Sequence, residues 1–312
     1  MLQALELAAE RGAFEGSACS VVIGSDGLWE TPAGRLSELD AVKEMGPEHI
    51  AFLALHGGRG EDGRLQAVLE SAGVRYTGSG PAASALCMDK RAARGVLLDE
   101  GIQVPPGLLI DSISSEDSVQ ARLQQRLEGL SPRGHGWFVK PNSGGSSAGI
   151  ARVLEACDLI PAVASILAGG ERALVEGLIR GVEVSVGVIG ESGRDLRALP
   201  TVEIQPKTSG WFDTKEKYAS AGAVEICPPE NIPPAVDEEL RMLAVRAHVA
   251  TDCRGYSRSD FIVTETAEIY ALEVNTIPGL TERSLLPLEA AAAGMNFESL
   301  CLEILRLARG DD

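Results

Sequence analysis

A group of oxygen-bearing side chains closes an apolar run near the end of the sequence. The stretch YALEVNTIPGLTERSLLP holds Glu273 and Asn275 two residues apart, and Asp260 precedes them on an apolar segment of its own. Side chains two apart on a strand share a face, and a short turn between the segments would let them pair as a hairpin. Such oxygens suit Mg²⁺, which takes few carboxylates and completes its shell with phosphate oxygens. A solvated strand end is the alternative, and the apolar neighbours count against it.

A glycine-rich stretch and two cations extend the same chemistry. KPNSGGSSAG, residues 140–149, follows the strand-like WFV, and small residues in a row leave backbone N–H groups free to surround an anion. Lys140 adds a point charge there, although a flexible hairpin turn explains the same pattern. Arg258 lies two residues before Asp260, where it can neutralise the acidic group or stabilise developing negative charge. Together these features indicate nucleotide-dependent chemistry.

Composition excludes several classes of protein. The chain has 312 residues and a net charge of 28 − 45 = −17, which argues against binding a nucleic-acid backbone. No apolar run approaches the roughly 20 residues that span a membrane, and the N-terminus is a poor signal peptide. The six cysteines of the chain are scattered without a CxxC pair, so neither a zinc site nor a disulfide framework is indicated. We therefore predict a cytoplasmic protein with no nucleic-acid or membrane partner.

Hydrophobic patterning predicts the elements that must position these residues. HIAFLALHG, residues 49–57, predicts a buried strand, and DGRLQAVLESAG after it has helical spacing, which favours a parallel α/β lobe. MDKRAARGVLLDEG predicts a second amphipathic helix. From Trp137 onward strand-like runs alternate with glycine-rich turns, and two helices are predicted at 236–250 and 297–309. We predict a small α/β lobe over 1–80 and two α+β lobes over 81–175 and 176–312.

The start of the sequence is unusual for an α/β lobe. A helix-like stretch covers residues 2–10, and the first strand is predicted only at about Cys19. Parallel α/β lobes usually open on a strand at the centre of the sheet. Either a leading strand is absent here or the lobe is built differently.

Six motifs, taken in order and spacing, resemble those of the D-alanine–D-alanine ligases of the ATP-grasp superfamily. They are HGGRGEDGRLQAVLESAGVRYTGSG, SALCMDKRAAR, FVKPNSGGSSAGI, EGLIRGVEVSVGV, SRSDFIV and LEVNTIPGLTERSLLP. The resemblance covers about residues 50–308. It implies an ATP-grasp fold in which two α+β lobes sandwich ATP. It also implies ligation of two D-alanine molecules through an acylphosphate, for peptidoglycan precursor synthesis.

The resemblance implies roles for individual residues in nucleotide and metal binding. Two lysines would hold the phosphates, a linker after a strand would meet adenine, and a glutamate would take the ribose hydroxyls. The implied ATP-binding residues are Lys90, Lys140, Ser147, Glu176, Gly177, Ile179 and Glu183. The implied ligands of two Mg²⁺ or Mn²⁺ ions are Asp260, Glu273 and Asn275.

It also implies how the second D-alanine is bound and activated. Arg258 and the backbone N–H of Gly279 would stabilise the tetrahedral oxyanion. Ser284 and the backbone of Leu285 would bind the carboxylate of the second substrate, and His56 would approach the same substrate.

The segment TSGWFDTKEKYASAGA resembles the mobile loop that closes over the site in this family. Lys217 and Tyr218 match its Lys-Tyr pair, and closure would keep water from the acylphosphate. Ser146 matches a serine that helps to hold the ammonium group of the first D-alanine. For the segment TSGWFDTKEKYASAGA, the alternative interpretation is a disordered polar hairpin.

One family motif is missing. The family usually begins with a strand and a GGxSxExxVS loop whose glutamate helps to hold the first D-alanine, and no such motif is found. The start could be assigned too late, the enzyme could be shortened, or ligase activity could be lost. The alternatives to the leading function are therefore a ligase for another amino-acid pair and a silent ATP-binding paralogue. We expect a homodimer.

Overall fold

A computed structural model describes residues 1–14, 16–55, 57–131, 134–144, 149–206 and 223–309. Its helices are α1 Leu2–Glu10, α2 Glu38–Lys43, α3 Arg64–Ser71, α4 Pro81–Met88, α5 Lys90–Asp99, α6 Asp117–Glu128, α7 Leu159–Ala168, α8 Pro234–Ala250, α9 Leu285–Ala292 and α10 Phe297–Arg309. Its strands are β1 Val22–Ile23, β2 Trp29–Thr31, β3 Gly34–Leu36, β4 Ile50–Ala51, β5 Arg75–Tyr76, β6 Gly107–Ile110, β7 Trp137–Pro141, β8 Ala151–Val153, β9 Ala173–Gly177, β10 Val182–Gly190, β11 Arg197–Ala198, β12 Val202–Pro206, β13 Ala223–Ile226, β14 Gly255–Val263 and β15 Ile269–Asn275.

Two antiparallel sheets dominate the fold. A six-stranded sheet has the order β13-β12-β10-β14-β15, with β11 paired to the free end of β10. A four-stranded sheet has the order β6-β9-β7-β8. The short chain between β9 and β10 connects the two sheets directly, so residues at these strand ends lie close to both.

Each sheet has its own hydrophobic core. The four-stranded sheet packs on α6 and α7 around side chains such as Leu127, Val139 and Leu159, which are almost fully buried. The core of the six-stranded sheet joins α8 to β10 and β14, and it also includes Leu97 of α5. Helix α5 therefore carries its first residue, Lys90, on a support that is fixed to the larger sheet.

The N-terminal region combines a parallel strand pair with a small antiparallel sheet. The parallel pair is β4 with β5, and β1, β2 and β3 form the antiparallel sheet. The strand predicted over 49–57 is only two residues long in the structure. Beyond it, the Leu53 N–H donates to the Thr77 hydroxyl at 3.0 Å and does not donate to the backbone of a neighbouring strand. The chain opens on α1 as predicted, and Leu5 of that helix packs against Cys301 and Leu305 of α10.

Helix ends follow the capping rules that the sequence indicates. The Asp89 side chain accepts the Ala92 N–H at 2.9 Å and caps α5, which removes one unpaired donor from its first turn. Gly73 follows α3 with φ +70°, a conformation that glycine adopts without strain. Within the described part of the chain, no helix is both long enough and apolar enough to cross a membrane.

Candidate active site

The predicted hairpin of acidic residues is formed by β14 and β15. Asp260 lies directly opposite Glu273, and Arg258 lies opposite Asn275. Paired residues of antiparallel strands present their side chains on the same face, so these four share one face of the sheet. The register shifts after this pair so that Leu272 is an extra residue on β15. Such a bulge redirects side chains near functional sites, and Leu272 lines the cleft described next.

A cleft of about 600 Å³ lies between the two sheets, within the range typical of ligand sites. It brings together eight residues predicted to bind nucleotide or metal: Lys90, Lys140, Glu176, Gly177, Ile179, Glu183, Asp260 and Glu273. Its apolar walls include Phe138, Ile204 and Ile262, which suit a flat aromatic ring. The cleft therefore offers an apolar compartment and a group of charges within one space.

Asp260 is surrounded by hydrogen-bond donors. Arg258 donates from Nε and Nη2 to the two carboxylate oxygens, at 2.8 Å each. Ser185 donates to Oδ1 at 2.6 Å, and Asn275 Nδ2 donates to Oδ2 at 3.1 Å. These four hydrogen bonds hold the Asp260 carboxylate in a fixed orientation. Burial alone would lower the pKa of Arg258, but attraction and hydrogen bonding to Asp260 outweigh it and raise that pKa.

Lys90 reaches the same space from the start of α5. Its Nζ donates to the carbonyl of Gly144 at 2.6 Å and lies 3.8 Å from Glu273 Oε2. Its pKa is lowered, first by burial and then by the nearby charge of Lys140, while Glu273 opposes the change. The ammonium group is thus held at the edge of the glycine-rich stretch, beside the acidic pair.

Glu176 links the second lysine to an arginine that the sequence reasoning missed. Lys140 Nζ lies 2.5 Å from Glu176 Oε2, and Arg94 donates to Oε1 of the same carboxylate. Arg94 lies on the stripe of α5 that also buries Ala93 and Leu97. A charged residue on a buried stripe is the signal that could have identified it, since such residues are almost always paired.

Glu203 is a second residue that was missed. It lines the cleft from β12 and accepts the N–H groups of Glu230 and Asn231 at 3.0 and 2.8 Å. The Asn231 side chain also donates to it at 2.6 Å. Glu203 therefore fixes the loop before α8 at one wall of the cleft.

The predicted residues of the second-substrate site lie at the start of α9 and in the loop before it. Ser284 is the N-cap of α9, and its hydroxyl lies 2.8 Å from that of Thr281. Gly279 is half-buried in the loop that joins β15 to this helix. The free N–H groups at the start of a helix, including that of Leu285, favour an anion. Gly279, Ser284 and Leu285 are not part of the lining of the 600 Å³ cleft. Arg258 and Asn275 do not line the cleft either. Both donate hydrogen bonds to Asp260, which does line it.

Five predicted site residues lie outside the described residues. These are His56, Ser146, Ser147, Lys217 and Tyr218.

The donors at the acidic end of the cleft fit a magnesium site that is shared with phosphate. Among the described residues, no three His, Cys, Asp or Glu side chains form a group that could hold a metal alone. Asp260 and Glu273 are paired across two strands and both face the cleft, with the Asn275 amide beside them. Mg²⁺ is usually bound by one or two carboxylates together with water and substrate phosphates, so a small protein donor set is what it requires.

The chain is similar to known proteins over most of its length. The family model for the D-ala D-ala ligase C-terminus matches residues 97–306, and that for the D-ala D-ala ligase N-terminus matches residues 20–79. A D-alanine–D-alanine ligase from Nitratidesulfovibrio vulgaris is 38% identical over 304 residues, which cover 97% of this chain and 93% of the relative.

Solved structures show the same fold. A D-alanine–D-alanine ligase from Bacillus anthracis, complexed with ATP, superposes with a TM-score of 0.70 at 29% identity, covering 87% of this chain and 83% of that one. A D-Ala:D-Ser ligase from Enterococcus faecalis gives 0.70 at 29% identity, covering 93% and 79%. The predicted ATP-grasp fold is confirmed by these neighbours, and the chain belongs to the D-alanine–D-alanine ligase family.

Proposed function

We infer that this protein is an ATP-dependent D-alanine–D-alanine ligase that makes a precursor of the cell wall. Its membership of the family and the 38% identity over nearly the whole chain support this function. The observation that carries it in the structure is the convergence of Lys90 and Lys140 with Asp260 and Glu273 on one cleft between two sheets.

We propose that ATP lies along this cleft with its base at the apolar end. The chain between β9 and β10 offers the backbone of Gly177 and Ile179 to adenine, with Phe138 and Ile262 as apolar walls. Glu183, on the adjoining strand, is positioned for the ribose hydroxyls. Lys90 and Lys140 then lie where the phosphates would continue, since both side chains line the same space.

The first step transfers the γ-phosphoryl group of ATP to the carboxylate of the first D-alanine, giving an acylphosphate and ADP. In such transfers the protein contributes positioning and charge neutralisation more than covalent chemistry. Lys90 and Lys140, at fixed positions on α5 and β7, would hold the phosphate oxygens and neutralise their charge.

Asp260, Glu273 and Asn275 would hold one or two Mg²⁺ ions. When bound, Mg²⁺ supplies positive charge that neutralises the phosphate oxygens. The hydrogen bonds of Arg258 and Ser185 to Asp260 orient that carboxylate for this purpose.

In the second step the amine of the second D-alanine loses its proton and attacks the carbonyl of the acylphosphate, and inorganic phosphate leaves. We propose that Arg258 and the Gly279 N–H stabilise the oxyanion of this tetrahedral intermediate. Ser284 and the Leu285 N–H would bind the second carboxylate at the start of α9, where the helix dipole favours an anion.

Phosphate release with ATP, Mg²⁺ and D-alanine tests the function directly. We expect release that depends on D-alanine and a product containing two D-alanine residues by mass spectrometry. ATP binding without turnover would contradict the ligase function and support a silent ATP-binding paralogue.

A different second substrate is the other candidate function. The Enterococcus faecalis neighbour is a D-Ala:D-Ser ligase and is as similar in structure as the D-alanine–D-alanine ligase bound to ATP. A competition assay with equal D-alanine and D-serine would decide between them, and the leading function requires the D-alanyl-D-alanine product to predominate.

We also propose a cytoplasmic homodimer, which the family resemblance and the scattered cysteines support. Light scattering on the purified protein tests the dimer, and a mass of one chain would contradict it.

A further inference from the structure

Arg94 occupies a built niche behind the cleft. Its side chain is 5% exposed, and it donates to Glu176 and to the carbonyl of Pro105. A side chain at Gly107 would enter this niche, since its Cβ would lie 2.7 Å from Arg94 Nη2. Gly107 pairs with Glu176 across β6 and β9. Because glycine has no side chain, the Arg94 guanidinium can occupy the space beside it. Arg94 is not among the residues that line the cleft.

The Glu176 carboxylate is divided between two cations. One oxygen accepts from Arg94, which faces the protein interior, and the other contacts Lys140, which faces the cleft. Glu176 is 3% exposed, so water contributes little to balancing its charge. A buried carboxylate that serves two cations holds each of them less firmly than one that serves a single cation.

We propose that Arg94 is a positioning residue for ATP binding, which holds one oxygen of Glu176 and so leaves Lys140 available to the phosphates. The inference rests on the proposed ATP site. Without Arg94, the whole charge of Glu176 would act on Lys140 and would hold the ammonium at Glu176, where it is less available to the phosphates. The uncompensated carboxylate would also repel the phosphates.

The role predicts an effect that depends on the ligand. The phosphates would contact Lys140, whereas adenosine would contact the apolar end of the cleft and Glu183 without using that lysine. Removing Arg94 should therefore weaken ATP and leave adenosine almost unchanged. A merely structural role, in which Arg94 supports the shape of the cleft, would weaken both ligands by the same factor.

The experiment is calorimetric titration of ATP and adenosine into the full-length protein, with Arg94→Met compared to the wild type. We expect ATP affinity to fall at least about tenfold, the size of one charge-assisted hydrogen bond, and adenosine affinity to change less than about twofold. Arg91→Met is the matched control, because Arg91 is exposed on the same helix. Equal losses for both ligands, or no loss for ATP, would overturn the inference.

Two further variants protect the test against misfolding. Glu176→Gln removes the negative charge, so adding Arg94→Met to it should cost no further ATP affinity, and a second tenfold loss would contradict the proposal. Lys140→Met should itself lower ATP affinity. If it does so while Arg94→Met does not, the ATP site stands and the role of Arg94 is refuted. If Lys140→Met has no effect, the proposed phosphate site itself is wrong.

Discussion

Glu289 is a carboxyl group in a position where a charge is costly. It lies on α9 with no exposed surface, and no described side chain donates a hydrogen bond to either oxygen. The carboxyl group has space because residue 187 of β10, which pairs with Arg258 of β14, is glycine. A Cβ at residue 187 would overlap the carboxyl group. Burial raises the pKa of Glu289 from 4.5 to about 8, with Arg258 opposing the shift and Asp260 adding to it.

The sign of the pH effect follows from proton binding. Because the pKa of Glu289 is higher in the folded state, the folded protein binds more protons than the unfolded chain between pH 4.5 and about 8. The contribution of Glu289 to the free energy of unfolding is therefore most favourable below pH 4.5 and falls as the pH rises to about 8. Each pKa unit corresponds to about 1.4 kcal/mol, so the full penalty is about 5 kcal/mol. Between pH 5 and pH 8 the loss from this one group is about 3–4 kcal/mol.

Glu289→Gln removes the titration while keeping the shape of the side chain. The assay is urea unfolding followed by tryptophan fluorescence at pH 5 and pH 8, for the wild type and the variant. We expect the variant to gain about 3–4 kcal/mol relative to the wild type on going from pH 5 to pH 8. The comparison uses the change with pH, because a buried amide has its own cost at both values. Glu239→Gln, on an exposed position of α8, should show no such gain. Parallel stability curves for Glu289→Gln and the wild type would refute the reasoning.

Three other substitutions test the site. Glu273→Ala should abolish phosphate release while circular dichroism and the melting temperature stay near those of the wild type, and retained turnover would contradict the metal assignment. Gly187→Ala should destabilise the protein by about 1–3 kcal/mol in urea unfolding, because the new methyl group overlaps the Glu289 carboxyl group. Combining it with Glu289→Ala should recover part of that loss, since Leu286 Cδ1 would still lie 2.5 Å from the new Cβ, and an unchanged deficit would show that the overlap with Glu289 is not a cause. Arg258→Lys loses the paired hydrogen bonds to Asp260 and should lower kcat by about 10–100-fold at saturating ATP, whereas an unaffected kcat would exclude Arg258 from the chemistry.

Much of the fold could be predicted because hydrophobic periodicity is a local property. The helix predicted at 297–309 has those bounds, and the helix predicted from residue 236 begins at Pro234. The acidic hairpin was also predictable, since Asp260 and Glu273 lie on short apolar runs joined by a tight turn. The strand predicted at 49–57 was too long, because the Thr77 hydroxyl, which is distant in sequence, takes the backbone bond of Leu53.

The parts of the site that could not be predicted depend on contacts distant in sequence. Arg94 and Glu176 are 82 residues apart, and nothing local indicates that they meet. Glu289 lies within the apolar run LLPLEAAAAG, where the pattern does not show that its carboxyl group will point at the gap beside Gly187. Both cases require the packing of two elements to be known before the residue acquires a role.

The charges of the cleft suggest why ATP and a metal would bind together. Lys140 contacts Glu176, Lys90 lies near Glu273, and Arg258 is paired with Asp260, so each cation already has an acidic partner. Phosphates entering alone would take the lysines and leave their carboxylates with less compensation, which is costly in a buried site. A divalent ion entering with the phosphates would supply that compensation at the acidic residues. Binding would then be largely an exchange of partners, with a smaller net gain of buried charge than for ATP alone, so ATP without metal should bind more weakly than ATP with Mg²⁺.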